Sequence, residues 1–532
     1  MNQPPRHDSR PMRIRWWPLA GITLIGGGLF YAVQVAGFSI VRPAHDFTIL
    51  IGLLNVLLYV WVRAWSGLQK RTQITTISVV FAIQALLSLM LRGNEFAGDG
   101  RIIFQWRWTA TPEQRLAAFS PQTHKATATA NLSETHEFDS PSFRGTDRTG
   151  RYEIPDIDLN WNENPPRELW RHPIGRGWSS FAVVGDFCVT QEQRDSDEAV
   201  VCYELQTGRP VWMHGDAARF DEVTSGPGPR ATPTIHSGRV FSFGATGILN
   251  CLDGTDGRVI WSHQFAKESV PLFGYSCSPL IHHDHVIVTP GGKSGSIVAL
   301  HADTGEVAWS RDSRKPGYCS PHLFRTEDED QILVFDATGL HGHEATTGEL
   351  HWTFPWGDNS DEYVNVGQPV NLRAPEVRHS DRGDARHLFI SSGYGRGSAV
   401  ISISHGASGE WSANVVWQSK SLKSKFSDVV IHEGHAYGLD EGILACVSLA
   451  DGTRRWKNGR YGYGQLILVN QTLLVQTESG RIALVAADPN KFTEVATLNA
   501  LNDRTWNQPV VAGWKLLVRN DREAVCFELP QR

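Results

Sequence analysis

Hydrophobic and polar positions divide the chain into three stretches of different texture. Up to residue 92, long uncharged apolar runs dominate; from 93 to 160 the sequence is polar and small; beyond 160, apolar segments of strand length alternate with turns rich in Gly, Asp and Thr. The run 19–41 has 23 residues without a charge, roughly 35 Å as a helix and long enough to cross a bilayer. A second run, 47–62, is shorter, and Arg63 can snorkel to extend it. A third occupies 74–91. No small-x-small cleavage site followed by polar sequence appears after the first run, so the pattern predicts three membrane spans and not a signal peptide. Gly26, Gly27 and Gly28 allow close helix packing within the first. Arg6, Arg10, Arg13 and Arg15 precede it, and Arg63, Lys70 and Arg71 separate the second and third. This bias puts the N-terminus in the cytoplasm and everything after Leu91 outside. The reading is a membrane anchor over 1–92, a tether over 93–160 ("THKATATANLSETHE") with one short helix near 111–119, and a β domain over 161–532.

Within the β domain one pattern recurs. "LQTGRPVW", "GTDGRVIW", "ADTGEVAW", "ATTGELHW" and "LADGTRRW" place Gly208, Gly257, Gly305, Gly348 and Gly452 four residues before Trp212, Trp261, Trp309, Trp352 and Trp456. A small residue lies six positions before each glycine. The pattern reads strand, tight turn, strand. The glycine supplies the positive φ of the turn, and the indole opens the next strand, where it can cover the neighbouring unit. Its N–H needs a partner, which loop carbonyls could supply.

About fifteen residues after each tryptophan a second signature opens another strand pair. Eight such starts are visible: "WSSFAVVGD", "ATPTIHSGR", "SCSPLIHHD", "CSPHLFRTE", "GQPVNLRAP", "FSDVVIHEG", "GQLILVNQ" and "NQPVVAGW". Trp-to-Trp steps of 49 and 48 (212, 261, 309) match four-stranded propeller blades. The fifth unit carries an insertion before Trp417, and the seventh has "FTEVATLN" where a tryptophan strand is expected. The last unit ends one strand short, while "PRELWRHPIG" offers Trp170 on a strand with no unit before it. Pairing the two closes a ring and leaves no unpaired closure edge. The expected fold is therefore all-β, an eight-bladed β-propeller behind an anchor of three transmembrane helices. Seven blades result if the seventh unit is a loop.

Cysteine usage and charge refine this picture. Cys202, Cys251, Cys446 and Cys526 share the small position that Ala299 and Gly342 hold in other copies, which marks them as packing residues. The formal charge of -6 gives no hint of nucleic acid as a partner.

The small-x-x-x-x-Thr/Asp-Gly-x-x-x-Trp pattern resembles the tryptophan-docking repeat of pyrroloquinoline quinone (PQQ) propellers. That superfamily includes the quinoprotein dehydrogenases and the propeller lipoprotein of the outer-membrane β-barrel assembly machinery. "FRGTDRTG" followed by "PPRELW" is similar to the lead-in of membrane-anchored PQQ-like repeat proteins of planctomycete-type bacteria. The resemblance implies a bacterial inner-membrane protein whose propeller faces the periplasm. It also raises a quinoprotein oxidoreductase, holding PQQ and calcium and passing electrons to membrane quinone, as the alternative to a non-catalytic scaffold. Dehydrogenases of this fold pair two adjacent cysteines near the cofactor, and some carry CxxCH for haem; neither motif occurs here. Nor does a Glu, Asn and Asp trio for calcium fall on matching positions. The favoured expectation is a binding platform with no catalytic residues, PQQ or metal, whose partners are the membrane and other envelope proteins or a polymer.

Loops at the starts of the inner strands converge on the channel axis, so the candidate binding residues are Trp178, Arg230, Tyr275, Tyr318, Lys425, Asp428, Tyr463, Trp506 and Asn507. Ser179, Ser276, Ser320, Gln368 and Gln465 lie at the same level. These side chains either form a recognition rim or plug the channel and bond each other. "HHDH" (282–285) and "HEGH" (432–435) fall in turns at the opposite end and read as exposed turn residues rather than metal sites. His341 with His343, "GGKSGS" (291–296), "SGYGRGS" (392–398) and "DNSDE" (358–362) read as strand or loop residues for want of ligand or phosphate-loop spacing.

Overall fold

The computed structural model describes residues 20–22, 24, 26, 28, 43–96, 102–119, 129–357, 365–372 and 386–532. It divides into an N-terminal unit and the propeller unit that starts at Thr111.

In the N-terminal unit, helix Pro43–Val60 runs into a π-helical turn, Trp61–Trp65, and a second helix covers Lys70–Met90. Lys70–Met90 is long and apolar enough to cross a membrane, whereas the apolar part of the preceding segment, Leu50–Ala64, is shorter. Of the three expected spans, then, one meets the criterion among the described residues. The first run falls almost wholly outside them. Asn55 and Gln84 join the two helices through a 2.8 Å side-chain hydrogen bond. The strands Leu91–Phe96 and Ile102–Trp106 form a separate hairpin.

The propeller has eight sheets in one series. Their inner strands are Ala182–Val184, Thr234–His236, Leu280–His282, His322–Arg325, Val370–Leu372, Val430–His432, Gln465–Val469 and Val510–Ala512, opening blades 1 to 8. Second and third strands are buried along nearly their whole length, as in Val286, Ile287 and Val288 or Leu473, Leu474 and Val475. Both faces of each sheet are covered by neighbouring blades, which explains why these strands read as continuous apolar runs rather than alternating ones.

The tryptophan of one blade lies on the turn of the next. A Cβ added to Gly208 would meet Trp170 at 2.5 Å, one on Gly257 would meet Trp212 at 2.4 Å, and one on Gly305 would meet Trp261 at 2.6 Å. These glycines also have φ between 68° and 76°. The turn thus needs glycine twice over, for its left-handed backbone and for the indole pressed on its Cα. Five indoles donate to a loop carbonyl of the following blade: Trp170 to Leu205, Trp212 to Gly254, Trp261 to Ala302, Trp417 to Leu449 and Trp456 to Asp488, all at 2.8–2.9 Å. Trp352 differs: it lies against Gly342 of its own sheet, donates to Gln331 at 2.8 Å, and packs with Leu388, Ile390 and Ala399 of blade 5.

Blade 8 takes its outer strand, Arg167–Pro173, from before blade 1, and Cys526 pairs with Trp170. The ring closes as expected. Closure also accounts for blade 7, which is complete, its outer strand being Glu494–Asn499. A docking tryptophan there would have no turn to cover, because the third and fourth strands of blade 8 come from opposite ends of the chain. Ala496 stands in blade 7's outer strand instead, and Trp161 is buried in a cluster with Ala496, Leu501, Phe527 and Leu529.

The region read from the sequence as tether behaves differently. Helix Pro112–Ala118 forms where the short helix was expected, with Thr111 and Gln114 in a reciprocal capping box. From 129 onward, however, the chain is a strap across the propeller. Ala130 bonds Thr255, Ser140 bridges Val183, Arg151–Tyr152 adds a parallel strand inside blade 7, and Asp158 bonds Pro530. At its centre Arg144 and Arg148 enter the channel from the end opposite the mouth. Arg148 donates to Pro279 O, to Pro321 O at 2.8 Å and to Ser278 O at 3.3 Å. Arg144 donates to Val429 O at 2.9 Å and pairs with Asp428 at 2.8 Å. Composition concealed this role, because small and polar residues pack by backbone bonding and leave no apolar period.

Candidate functional site

Just above the inner strands, a ring of short polar side chains joins each blade to the next. Ser180 N donates to Thr232 Oγ1 (3.1 Å), Thr232 N to Ser278 Oγ (2.9 Å), and Ser278 N to Ser320 Oγ (2.9 Å). With its amide O and N exchanged so that both are satisfied, Gln368 makes two bonds with the Ser320 backbone, and Gln368 N donates to Asp428 Oδ1 at 2.7 Å. Gln465 Nε2 reaches Phe426 O and Trp506 O, Gln508 Nε2 reaches Leu466 O, and Ser180 Oγ returns to Gln508 O at 2.6 Å. Buried backbone groups at the strand starts are thereby satisfied across blades, which fixes the level from which the mouth loops rise.

The structure sorts the sequence candidates by this ring. Asp428 belongs to it and is neutralised by Arg144 from below. Asn507 is buried in the wall, donating to Gly177 O at 3.2 Å and Ser179 O at 2.7 Å. Tyr275 is a core residue stacked on Phe243 at 4.9 Å. The other six, Trp178, Arg230, Tyr318, Lys425, Tyr463 and Trp506, are half-buried at the mouth.

Three of these six, Trp178, Trp506 and Tyr463, lie in one aromatic run, joined by Phe426. Trp178 contacts Trp506 with centroids 4.8 Å apart, Trp506 contacts Phe426 at 5.6 Å, and Phe426 contacts Tyr463 at 5.6 Å. Cations lie over these faces: Arg504 sits 4.7 Å from Trp178 and 4.6 Å from Trp506, and Lys425 sits 4.8 Å from Phe426 and 4.7 Å from Tyr463. Trp506 Nε1 donates to Glu478 Oε1 at 2.9 Å. Across the mouth, Arg230 lies over Phe220 at 4.4 Å and donates to Phe273 O at 2.7 Å; Phe273 N donates to Tyr318 OH at 3.2 Å. Arg504, Phe426 and Phe273 were not among the sequence candidates. Arg504 lies two residues before Trp506, and Phe426 follows Lys425. Extending each candidate by two residues along its loop would have found both.

The remaining motifs fall where the sequence put them. "HHDH" and "HEGH" are turns between first and second strands. His341 and His343 are buried on a third strand, the former bonded to Asp336 at 3.1 Å and the latter to Gly348 O at 2.9 Å. Burial opposes ionisation of Asp336, yet His341, Thr338 and Arg314 hold its pKa down at about 2. "GGKSGS" and "SGYGRGS" connect strands, and "DNSDE" lies outside the described residues.

A calcium-bound quinone needs convergent oxygen ligands at this mouth. Among the described residues, Asp428 is committed to Arg144 and the ring, Glu478 accepts from Trp506, and the Asn507 amide nitrogen bonds the wall, which leaves its Oδ1 as a lone buried oxygen where a calcium would need several. All seven cysteines are free and buried. The two nearest the mouth bond the wall, Cys277 accepting from Thr289 N and Cys319 donating to Gly367 O. These residues do not fit such a group.

A family model described as outer membrane protein assembly factor BamB matches residues 196–458. A stretch of 122 residues is 27% identical to an uncharacterized protein of Rickettsia prowazekii (strain Madrid E), covering 22% of this chain and 28% of that one. Another of 140 residues is 26% identical to quinohemoprotein alcohol dehydrogenase ADH-IIG of Pseudomonas putida, covering 24% and 19%. The matched region therefore spans less than a third of either curated relative. Among solved structures, quinohemoprotein alcohol dehydrogenase from Comamonas testosteroni is similar with a TM-score of 0.57 at 11% identity, over 77% of this chain and 85% of that one. BamB from Moraxella catarrhalis gives 0.49 at 16% identity, over 69% and 98%. At such identities the structural likeness concerns fold alone. Repeat, ring and family match agree: the chain is an eight-bladed β-propeller whose repeat region is similar to the BamB-type, PQQ-like family.

Proposed function

We propose that this chain is a membrane-held, periplasmic propeller that binds an envelope protein or a polymer at its channel mouth, without catalysing a reaction. The observation that carries the reading is the aromatic run from Trp178 through Trp506 and Phe426 to Tyr463, with Arg504 and Lys425 over its faces. Aromatic and Arg side chains dominate binding energy at protein interfaces, and here they stand on a ring of blade-to-blade hydrogen bonds that limits the ordering cost of binding. The family description as an assembly factor favours a protein partner. The apolar helix Lys70–Met90 and the two apolar runs before it in the sequence supply the anchor, and the Lys/Arg bias supplies the orientation.

Cross-linking in native membranes tests this. The intact protein should capture a defined set of envelope partners, and Trp178→Ala with Trp506→Ala should lose them while remaining folded. Recovery of the same partners by that double variant overturns the mouth as the binding surface. The fold is shared with quinohemoprotein alcohol dehydrogenase, so the second assay adds PQQ and calcium and follows dye reduction with alcohols or sugars. Turnover there overturns the non-catalytic reading.

A further inference from the structure

The turn "HHDH" is absorbed by neither the fold nor the mouth. In blade 3, His282 pairs with His285, and His285 pairs with His301, so three histidines stand in one row across the first three strands. Residues directly opposite in antiparallel strands share a face. The rings of His285 and His301 have centroids 5.1 Å apart. Asp284 sits between them, its Oδ1 3.0 Å from His285 Nδ1 and its Oδ2 3.9 Å from His301 Nδ1. One ligand atom from each of Asp284, His285 and His301 lies within 4.8 Å of the others. Asp284 is fixed by a two-residue turn whose first member, His283, is left-handed at φ 51. A second group, His282, His283 and Asp330, adjoins it.

We propose that Asp284, His285 and His301 bind a divalent transition-metal ion such as Zn²⁺ at the rim opposite the mouth, with its remaining coordination positions open to water or to a donor from a partner. Two imidazoles and a carboxylate suit borderline ions of this class and not Ca²⁺ or Mg²⁺, which demand oxygen ligands. Bond lengths of about 2.0–2.2 Å require the three ligand atoms to draw in by about 1 Å, and Asp284 and His301, both exposed, have the freedom to do so. The fold contains its own control. Blade 6 aligns His432, His435 and Ser448 in the equivalent row, two imidazoles without the third.

The test is Zn²⁺ titration of the detergent-solubilised full chain by calorimetry, with Co²⁺ absorption reporting coordination. One ion should bind per chain without competition from millimolar Ca²⁺ or Mg²⁺. His285→Ala and His301→Ala should each weaken it at least about tenfold, whereas His435→Ala should leave it unchanged. Unfolding temperature without metal should be the same in all variants. Equal Zn²⁺ affinity in His301→Ala overturns the proposal, as does binding that is lost on Asp330→Ala but kept in His285→Ala, since that places the ion in the neighbouring group.

Discussion

At the strap end of the channel, Arg144 and Arg148 are buried and spend their donors on blade carbonyls and on Asp428. At the mouth, Arg504, Lys425 and Arg230 lie over aromatic faces. The same side-chain chemistry thus serves two ends. A guanidinium surrounded by fixed carbonyls locks blades together, while Arg504, equally buried, backs the half-buried rings of Trp178 and Trp506, and it is those rings with Lys425 that offer an amphipathic surface. A repeat protein can in this way divide its two faces between stability and recognition without altering the blade.

The comparison makes ranked predictions. The largest effect is expected at the strap. Arg144→Ala leaves Asp428 buried without its counter-charge and should lower unfolding free energy by about 3–5 kcal/mol, measured by denaturant titration. A smaller loss than that of Trp178→Ala would break the comparison. Next come the docking turns. Gly257→Ala combines a left-handed backbone with a Cβ 2.4 Å from Trp212 and should lose about 2–4 kcal/mol, with Gly409→Ala, where nothing lies within 4 Å, as the milder reference.

A third prediction uses pH. Burial, then the nearby charges of Arg148 and Arg144, push the His322 pKa down to about 3. A histidine of lowered folded-state pKa contributes stability above its unfolded value near 6.5, and that stability disappears as pH falls from there toward 3. Thermal unfolding followed from pH 7 to 4 should show a shallower decline in His322→Gln than in the parent; identical slopes would remove His322 from the strap's acid sensitivity. The smallest stability effect belongs to the mouth. Trp178→Ala should shift unfolding by about 1–2 kcal/mol at most while sharply reducing partner capture in membranes.

Blade number and closure were legible in the sequence, because the Gly-Trp pair is imposed by one physical contact repeated around the ring. Trp170 announced its missing unit, and Cys526 sits opposite it as the repeat required. The missing tryptophan of blade 7 was visible too, but its cause was not, since only the topology shows that blade 8 has no turn for it to cover. Asp428 and Asn507 illustrate the limit at the mouth. A polar residue at a strand start can face the axis or the neighbouring blade, and the sequence does not distinguish the two. The strap was hidden for a related reason: Arg144 and Arg148 find partners 130 or more residues away, which no local pattern announces.

The seam has a consequence for synthesis. Residues 151–152 and the strand carrying Trp170 find their strand-pairing partners in blades 7 and 8. A polypeptide made from its N-terminus must therefore hold these segments in waiting until the final blade has emerged, and relocating the chain ends to the exposed Gly406–Gly409 hairpin would let the former seam zip up locally and hasten maturation.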